Sequence, residues 1–253
     1  MCKTKLLISK TKMMRKIISV IVVAAFLVTT SSSCEEESLI GIQGKGDIVS
    51  KTIEIQPING IDLDINGNVI ISKGDNQEIR IKAQNNIIEN IKTNVKNGVW
   101  DIDFDKNVLL HKDITIYITV PEIKELSVSG SGNITSSSNF SSSNLEINIS
   151  GSGYINFNTK ANHIKSHISG SGEIDLSGTT NSQDIHISGS GSYNGFSCVS
   201  NNVDADISGS GNCNISVNKE LNAKISGSGD IKYKGHPSIN KEIIGSGSVT
   251  SSN

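Results

Sequence analysis

From Asp47 to the end of the chain, apolar and polar residues trade places with period two. Ile61-Asp62-Leu63-Asp64-Ile65, Glu78-Ile79-Arg80-Ile81-Lys82 and Trp100-Asp101-Ile102-Asp103-Phe104 show it in the first half. Glu173-Ile174-Asp175-Leu176 and Asp184-Ile185-His186-Ile187-Ser188 show it in the second. Such alternation predicts strands with one face in a core and the other in water. β-branched isoleucine suits them, and few segments carry a helical period.

A longer period overlies the short one. Gly-Ser-Gly stands at Gly130–Gly132, Gly151–Gly153, Gly170–Gly172, Gly189–Gly191, Gly209–Gly211, Gly227–Gly229 and Gly245–Gly247, so the steps are 21, 19, 19, 20, 18 and 18 residues. Two residues before each triplet stand Val128, Ile149, Ile168, Ile187, Ile207, Ile225 and Ile243. Four residues after its first glycine stand Ile134, Ile155, Ile174, Tyr193, Cys213, Ile231 and Val249. A flexible Gly/Ser linker has no apolar flanks to bury, so these triplets are not linkers. They read as corners, where glycine enters positive-φ conformations at little steric cost.

One coil of two strands, a corner and a looser Asn/Ser/Thr connection cannot bury its isoleucines alone. Stacked coils bury them as ladders, each side chain worth roughly 1.5–3 kcal/mol. The expected fold is all-β: a parallel β-helix or β-solenoid over 121–253, with coils of about 18–21 residues. Residues 47–120 form a less regular β-rich part continuous with it, and Pro121 marks the boundary. Ile65-Asn66-Gly67-Asn68-Val69 looks like a degenerate corner, and the 63 residues from Gly67 to Gly130 fit three coils of 21.

The N-terminus is of another kind. Six basic residues between Lys3 and Lys16 precede an apolar run, Ile17 to Val28, and small residues lead to Cys34. Residues 1–33 resemble a lipoprotein signal peptide, with Ser31 standing where a large aliphatic residue is usual, and Cys34 is the expected lipidation site. Residues 34–46 read as an acidic tether. Its Glu35, Glu36 and Glu37 resemble the signal that sends lipoproteins of the Bacteroidota to the outer face of the outer membrane. Periplasm-facing anchoring is the alternative. The true start is Met1, Met13 or Met14.

Without residues 1–33 the formal balance is 17 basic against 25 acidic residues, about −8. Arg80 is then the one arginine, so nucleic acid is not an expected partner. The triplets precede strands rather than a helix N-terminus, which disfavours nucleotide binding. The position after them (Asn133, Tyr154, Glu173, Ser192, Asn212, Asp230, Ser248) carries no regular carboxylate for calcium. Glu173 and Asp175 are the nearest pair for glycoside hydrolysis, although an outward strand face is where solvated carboxylates normally stand. His167, His186 and Asp206 follow one another in an outward column and are the candidates for a surface zinc. A wet sheet face explains that column more simply. Cys198 and Cys213 differ in phase, so no disulfide is implied. No cofactor and no catalytic residue are expected.

The serial corners followed by N/E/D-I, together with Val120-Pro121-Glu122-Ile123 and Tyr233-Lys234-Gly235-His236-Pro237, resemble the putative auto-transporter adhesin head GIN domain. The resemblance covers Ile48 to the C-terminus and implies a β-helical stack and an adhesin-type role. It brings no catalytic or ligand residues. Ile244 in place of serine departs from its pattern, as does the disturbed Ser192–Phe196 segment, which predicts a bulge. The expected function is that of an exported, lipid-anchored envelope protein, non-enzymatic, that binds an extracellular glycan or protein. The alternatives are a glycan-active β-helix enzyme and a structural module that forms homo-oligomers through an exposed end or face.

Overall fold

The computed structural model describes residues 41–253, and Ile42–Asn253 form one unit. The signal segment, Cys34 and Glu35–Glu37 lie outside the described residues. The alternating runs become strands. The first part holds β1 (Ile42–Gln43), β2 (Ile48–Ile53), β3 (Gly60–Leu63), β4 (Asn68–Lys73) and β5 (Glu78–Gln84). A helical turn, α1 (Asn85–Ile88), precedes β6 (Val95–Lys96), β7 (Val99–Ile102), β8 (Val108–Leu110) and β9 (Thr115–Val120). The repeat holds β10 (Glu125–Gly130), β11 (Asn133–Gly151), β12 (Tyr154–Gly170), β13 (Glu173–Gly189) and β14 (Ser192–Gly209). It ends with β15 (Asn212–Gly227), β16 (Asp230–Lys234), β17 (Ser238–Gly245) and β18 (Ser248–Ser251).

The repeat is a β-solenoid. Neighbouring coils pair in parallel and in phase, with Ile149 beside Ile168, Ile168 beside Ile187, and Gly151 beside Gly170 beside Gly189. The two isoleucine ladders are buried, with Ile134, Ile155, Ile168 and Ile174 wholly inaccessible. The Asn/Ser/Thr connections are not loose. Asn139–Ser142 pair with Asn158–Ala161, and these with Ser177–Thr180, so one strand runs from corner to corner. An in-register stack gives each backbone N–H a partner in the next coil, which polar residues tolerate as well as apolar ones do.

Each corner bonds to the one before it. Ser190 N donates to Gly170 O at 2.8 Å, and Ser192 N donates to Gly172 O at 2.9 Å. Gly189 has φ +117°, and a Cβ there would lie 2.5 Å from Gly170 O. Gly191 has no positive φ and is required by space: a Cβ would lie 2.5 Å from Ile168 Cγ2 and 2.9 Å from Gly172 O. One glycine answers to backbone conformation and the other first to the core ladder and then to the carbonyl of the corner before it.

The first part does not supply three coils between Gly67 and Gly130. β3 pairs directly with β10, and β4 with β11, so the two corners are adjacent in the stack. The chain folds its next coil onto the far side instead, where β7 pairs with β3 and β9 with β4. β5 and β2 then extend that edge antiparallel. Trp100 plugs the end of the core, wholly buried, with its indole N–H donated to Lys92 O at 2.9 Å. Folded structure also begins earlier than Asp47, since β1 pairs with β8.

Candidate functional site

Parallel, in-phase stacking puts each outward side chain over its counterpart in the next coil, ~4.8 Å away. Past the corner this builds a bonded array. Asn214 Nδ2 donates to Asn194 Oδ1 at 2.9 Å, and Asn194 Nδ2 donates to Asp175 Oδ1 at 2.8 Å and Glu173 Oε1 at 2.6 Å. Tyr154 donates its hydroxyl to Asp175 Oδ2 at 2.7 Å and accepts from Asn156 Nδ2 at 3.1 Å. Burial first, and then the bond to Asp175, raises the Tyr154 hydroxyl above its usual pKa. Glu173 and Asp175 are thus brought together as joint acceptors of one amide.

The array borders the largest irregularity among the described coils; a smaller one lies where β11 runs from Thr135 to Asn139 against Asn156 to Asn158 of β12. Against β13, β14 runs from Asn194 to Ser197 where its partner runs only from Asp175 to Ser177. Against β15, it runs from Gly195 to Val199 where its partner advances only from Ile215 to Ser216. The predicted bulge is therefore present, and on it the half-buried Phe196, two residues after the outward Asn194, stands on the outer face. Phe196 lines a groove of about 280 Å³ with Asn156, Asp175, Ser177, Asn194 and Ser197. Lys234 Nζ lies 4.7 Å from the Phe196 ring centroid.

The bulge is fixed from inside. Tyr193 occupies the ladder position of Ile155 and Ile174 and is wholly buried. Its hydroxyl donates to Gln183 Oε1, and Gln183 Nε2 donates to Ser200 Oγ. Gln183 and Ser200 are each 1% exposed, so the three polar groups satisfy one another without water. A Cβ at Gly195 would lie 2.6 Å from Tyr193 Cε1, so the ring requires glycine there.

On the other outward face, His167 and His186 stack with ring centroids 6.4 Å apart, and Asp206 pairs with His186 in register. The groove beside His186 and Asp206 also takes in Asp204, Asn222, Lys224 and Glu242. His167, His186 and Asp206 do not bring their ligand atoms within 4.8 Å of one another; among the described residues Asp64, Asp101 and Asp103 do. Those three carboxylates could hold a cation in geometry alone, but Lys92 Nζ already lies 2.6 Å from Asp103 Oδ2. Lys92 holds the Asp103 carboxyl below its usual range, whereas burial raises Asp64. This cluster was legible in principle, because IDLDI and WDIDF share one phase and pair as Asp62 with Asp101. Cys198 and Cys213 are buried free thiols.

The family described as Putative auto-transporter adhesin, head GIN domain, matches residues 57–237. The chain belongs to this family. Among solved structures, this GIN domain is similar to a putative adhesin from Bacteroides fragilis NCTC 9343, with 26% identity and a TM-score of 0.76, covering 83% of this chain and 100% of that one. It is also similar to a putative lipid binding protein from Parabacteroides distasonis ATCC 8503, with 26% identity and a TM-score of 0.70, covering 84% and 99%. A putative adhesin from Parabacteroides merdae ATCC 43184, at 23% identity and a TM-score of 0.65, shares the fold over 84% and 99%. Nothing among curated proteins matches this chain. No helix among the described residues is long and apolar enough to cross a membrane.

Proposed function

We propose that this GIN domain is a non-catalytic binding module of the adhesin type, exported and held at the cell envelope by a lipid on Cys34. The observation that supports it most is the bonded outward array. Glu173 and Asp175, the pair best suited to acid–base chemistry, both accept from the Asn194 amide at 2.6 and 2.8 Å. Carboxylates held this way make a fixed recognition surface; a glycosidase needs one of them free to exchange a proton at the scissile bond. Family membership over 57–237 points the same way. The described interior is filled by side chains from Trp100 to Ile231, so a partner, lipid or otherwise, meets the outward faces.

Labelling intact cells with a membrane-impermeant amine reagent tests the placement. Wild-type protein is expected to be labelled and to sediment with membranes, and Cys34→Ala is expected to be released. A mutant that stays membrane-bound overturns the anchor. Release of reducing sugar from any glycan by the wild type, lost in Glu173→Gln, overturns the non-catalytic reading.

A further inference from the structure

The groove at the β14 bulge has the composition of a sugar subsite. A pyranose ring offers an apolar C–H face and a rim of hydroxyls that both donate and accept. Recognising it takes an aromatic surface for the face and planar polar groups, held in place beforehand, for the rim. Lys234 does not line the groove, so the side of the Phe196 ring turned toward the groove supplies the first; Asp175, Asn194 and Asn156 supply the second from the same wall.

The polar wall has capacity to spare. An ionised carboxylate has about four acceptor sites. Asp175 uses one on each oxygen, for Tyr154 and Asn194. Asn156 uses one amide hydrogen, on Tyr154, which leaves its second N–H and its carbonyl. Because these side chains are already tied to one another, ordering them on binding costs little. A groove of about 280 Å³ lies at the small end of ligand sites and suits one ring. The carboxylates of Glu173 and Asp175 repel an acidic sugar, which leaves a neutral one.

The bulge is built and not incidental. A regular coil would keep the register intact, yet β14 breaks it against both neighbours within Asn194–Val199, the segment that carries Phe196. Tyr193, Gln183 and Ser200 support that break from the core with a closed set of buried hydrogen bonds. Local departures from a repeat that carry their own internal support are where a stacked fold places function.

We propose that the groove formed by Phe196, Asn156, Asp175 and Asn194 binds a neutral hexopyranose unit of a glycan, with the ring face on Phe196 and its hydroxyls on Asp175, the Asn156 amide and the remaining acceptor site of the Asn194 carbonyl. The inference rests on the binding-module reading and gives that module its ligand class.

The full chain, purified in detergent, is titrated with cellohexaose, maltohexaose and mannohexaose, with hexagalacturonate as the charged comparison, and binding is followed by calorimetry and saturation-transfer NMR. At least one neutral hexaose is expected to bind and the galacturonate is not. Phe196→Ala and Asp175→Asn are expected to weaken that binding by ten-fold or more, and Glu242→Gln on the opposite face to leave it within two-fold. Phe196→Leu, which keeps apolar bulk and loses the aromatic face, separates stacking from a folding defect and is expected to weaken binding while the melting curve holds. No binding of any neutral hexaose at millimolar concentration, or equal binding by Phe196→Ala, overturns the subsite. A protein labelled on intact cells that ignores every hexaose overturns the sugar site alone. One that binds a hexaose yet escapes the label overturns the surface placement alone.

Discussion

Gly191 lies under Ile168 of the preceding coil so closely that a Cβ would come within 2.5 Å of its Cγ2. Gly189, two residues earlier, is confined by backbone instead, with φ +117° and Gly170 O 2.5 Å from where a Cβ would stand. At Gly191 the nearest obstacle is a side chain that can shift, with Gly172 O next at 2.9 Å; at Gly189 it is a carbonyl engaged in a ladder, which cannot. Gly191→Ala is therefore expected to cost about 1–3 kcal/mol, the range for overpacking. Gly189→Ala is expected to cost more, because strain at positive φ adds of order 1–3 kcal/mol. Urea denaturation ranks the two. A cycle with Ile168→Ala is expected to show coupling for Gly191→Ala and near-additivity for Gly189→Ala.

Tyr193 and Gln183 give a second test. Tyr193→Phe removes the donor and leaves Gln183 Oε1 buried without its partner, at an expected cost of about 1–3 kcal/mol. Gln183→Leu combined with Tyr193→Phe is expected to be less destabilising than the sum of the two singles, because the double variant orphans only Ser200 Oγ, whereas the singles orphan Gln183 Oε1 in one and Tyr193 Oη with Ser200 Oγ in the other. Equal costs for the double variant and that sum would show that the hydrogen bond does not hold the bulge.

Period-two alternation and the recurring triplet made the solenoid legible, since each corner reports its own neighbours along the chain. The placement of the 60–73 coil was not. The corner at Gly67 is followed by a detour through β5, α1 and β7 before the chain resumes at β10, and spacing alone counts such a detour as coils. Conformation, the reason sequence gives for a corner glycine, holds for Gly189 but misses the steric demand of Ile168 on Gly191. At the candidate site the signal was partial. Ser192–Phe196 stood out as a departure, and Tyr193 visibly replaced an isoleucine. The bond from Tyr193 to Gln183 joins two residues of consecutive coils at different phases, which ladder reasoning does not pair.

Asp62 gives the fold a pH dependence of unusual sign. Burial, and after it the charges of Asp64, Asp101 and Glu125, push its carboxyl from 3.8 up to about 6. Between those values the folded form holds a proton that the unfolded chain has released. Stability from this group therefore falls as pH rises through the window, and above about 6 the folded state carries the full penalty of a buried anion. Two units would correspond to roughly 3 kcal/mol, but the side chain is partly solvated, so about 1 kcal/mol is expected. Asp62→Asn should raise the urea midpoint at pH 7 and remove that part of the slope between pH 4 and 6. An unchanged slope would place the titration elsewhere.

The last coil shows how the stack stops. β17 pairs with β15 and with no other strand among the described residues, and Ile239, Ile243 and Ile244 are 39%, 36% and 61% exposed. An open parallel edge with exposed isoleucines is a template for another chain. Lys241 pairs in register with Ala223, which is 4% exposed, so it stands in an inner column that Ile147 and Ile185 fill in earlier coils. A charge facing the core side of an edge strand must be desolvated before a second sheet edge can dock, which opposes end-to-end association. Lys241→Ile removes that obstacle and continues the apolar column to the edge. Sedimentation velocity over 1–100 µM (roughly the range in which a newly exposed edge associates) is expected to show the wild type as a monomer and the variant as a concentration-dependent dimer. Lys241→Arg keeps the charge and is expected to remain monomeric. A wild type that already dimerises through this end, or a Lys241→Ile variant that stays monomeric throughout, would remove Lys241 as the terminating device.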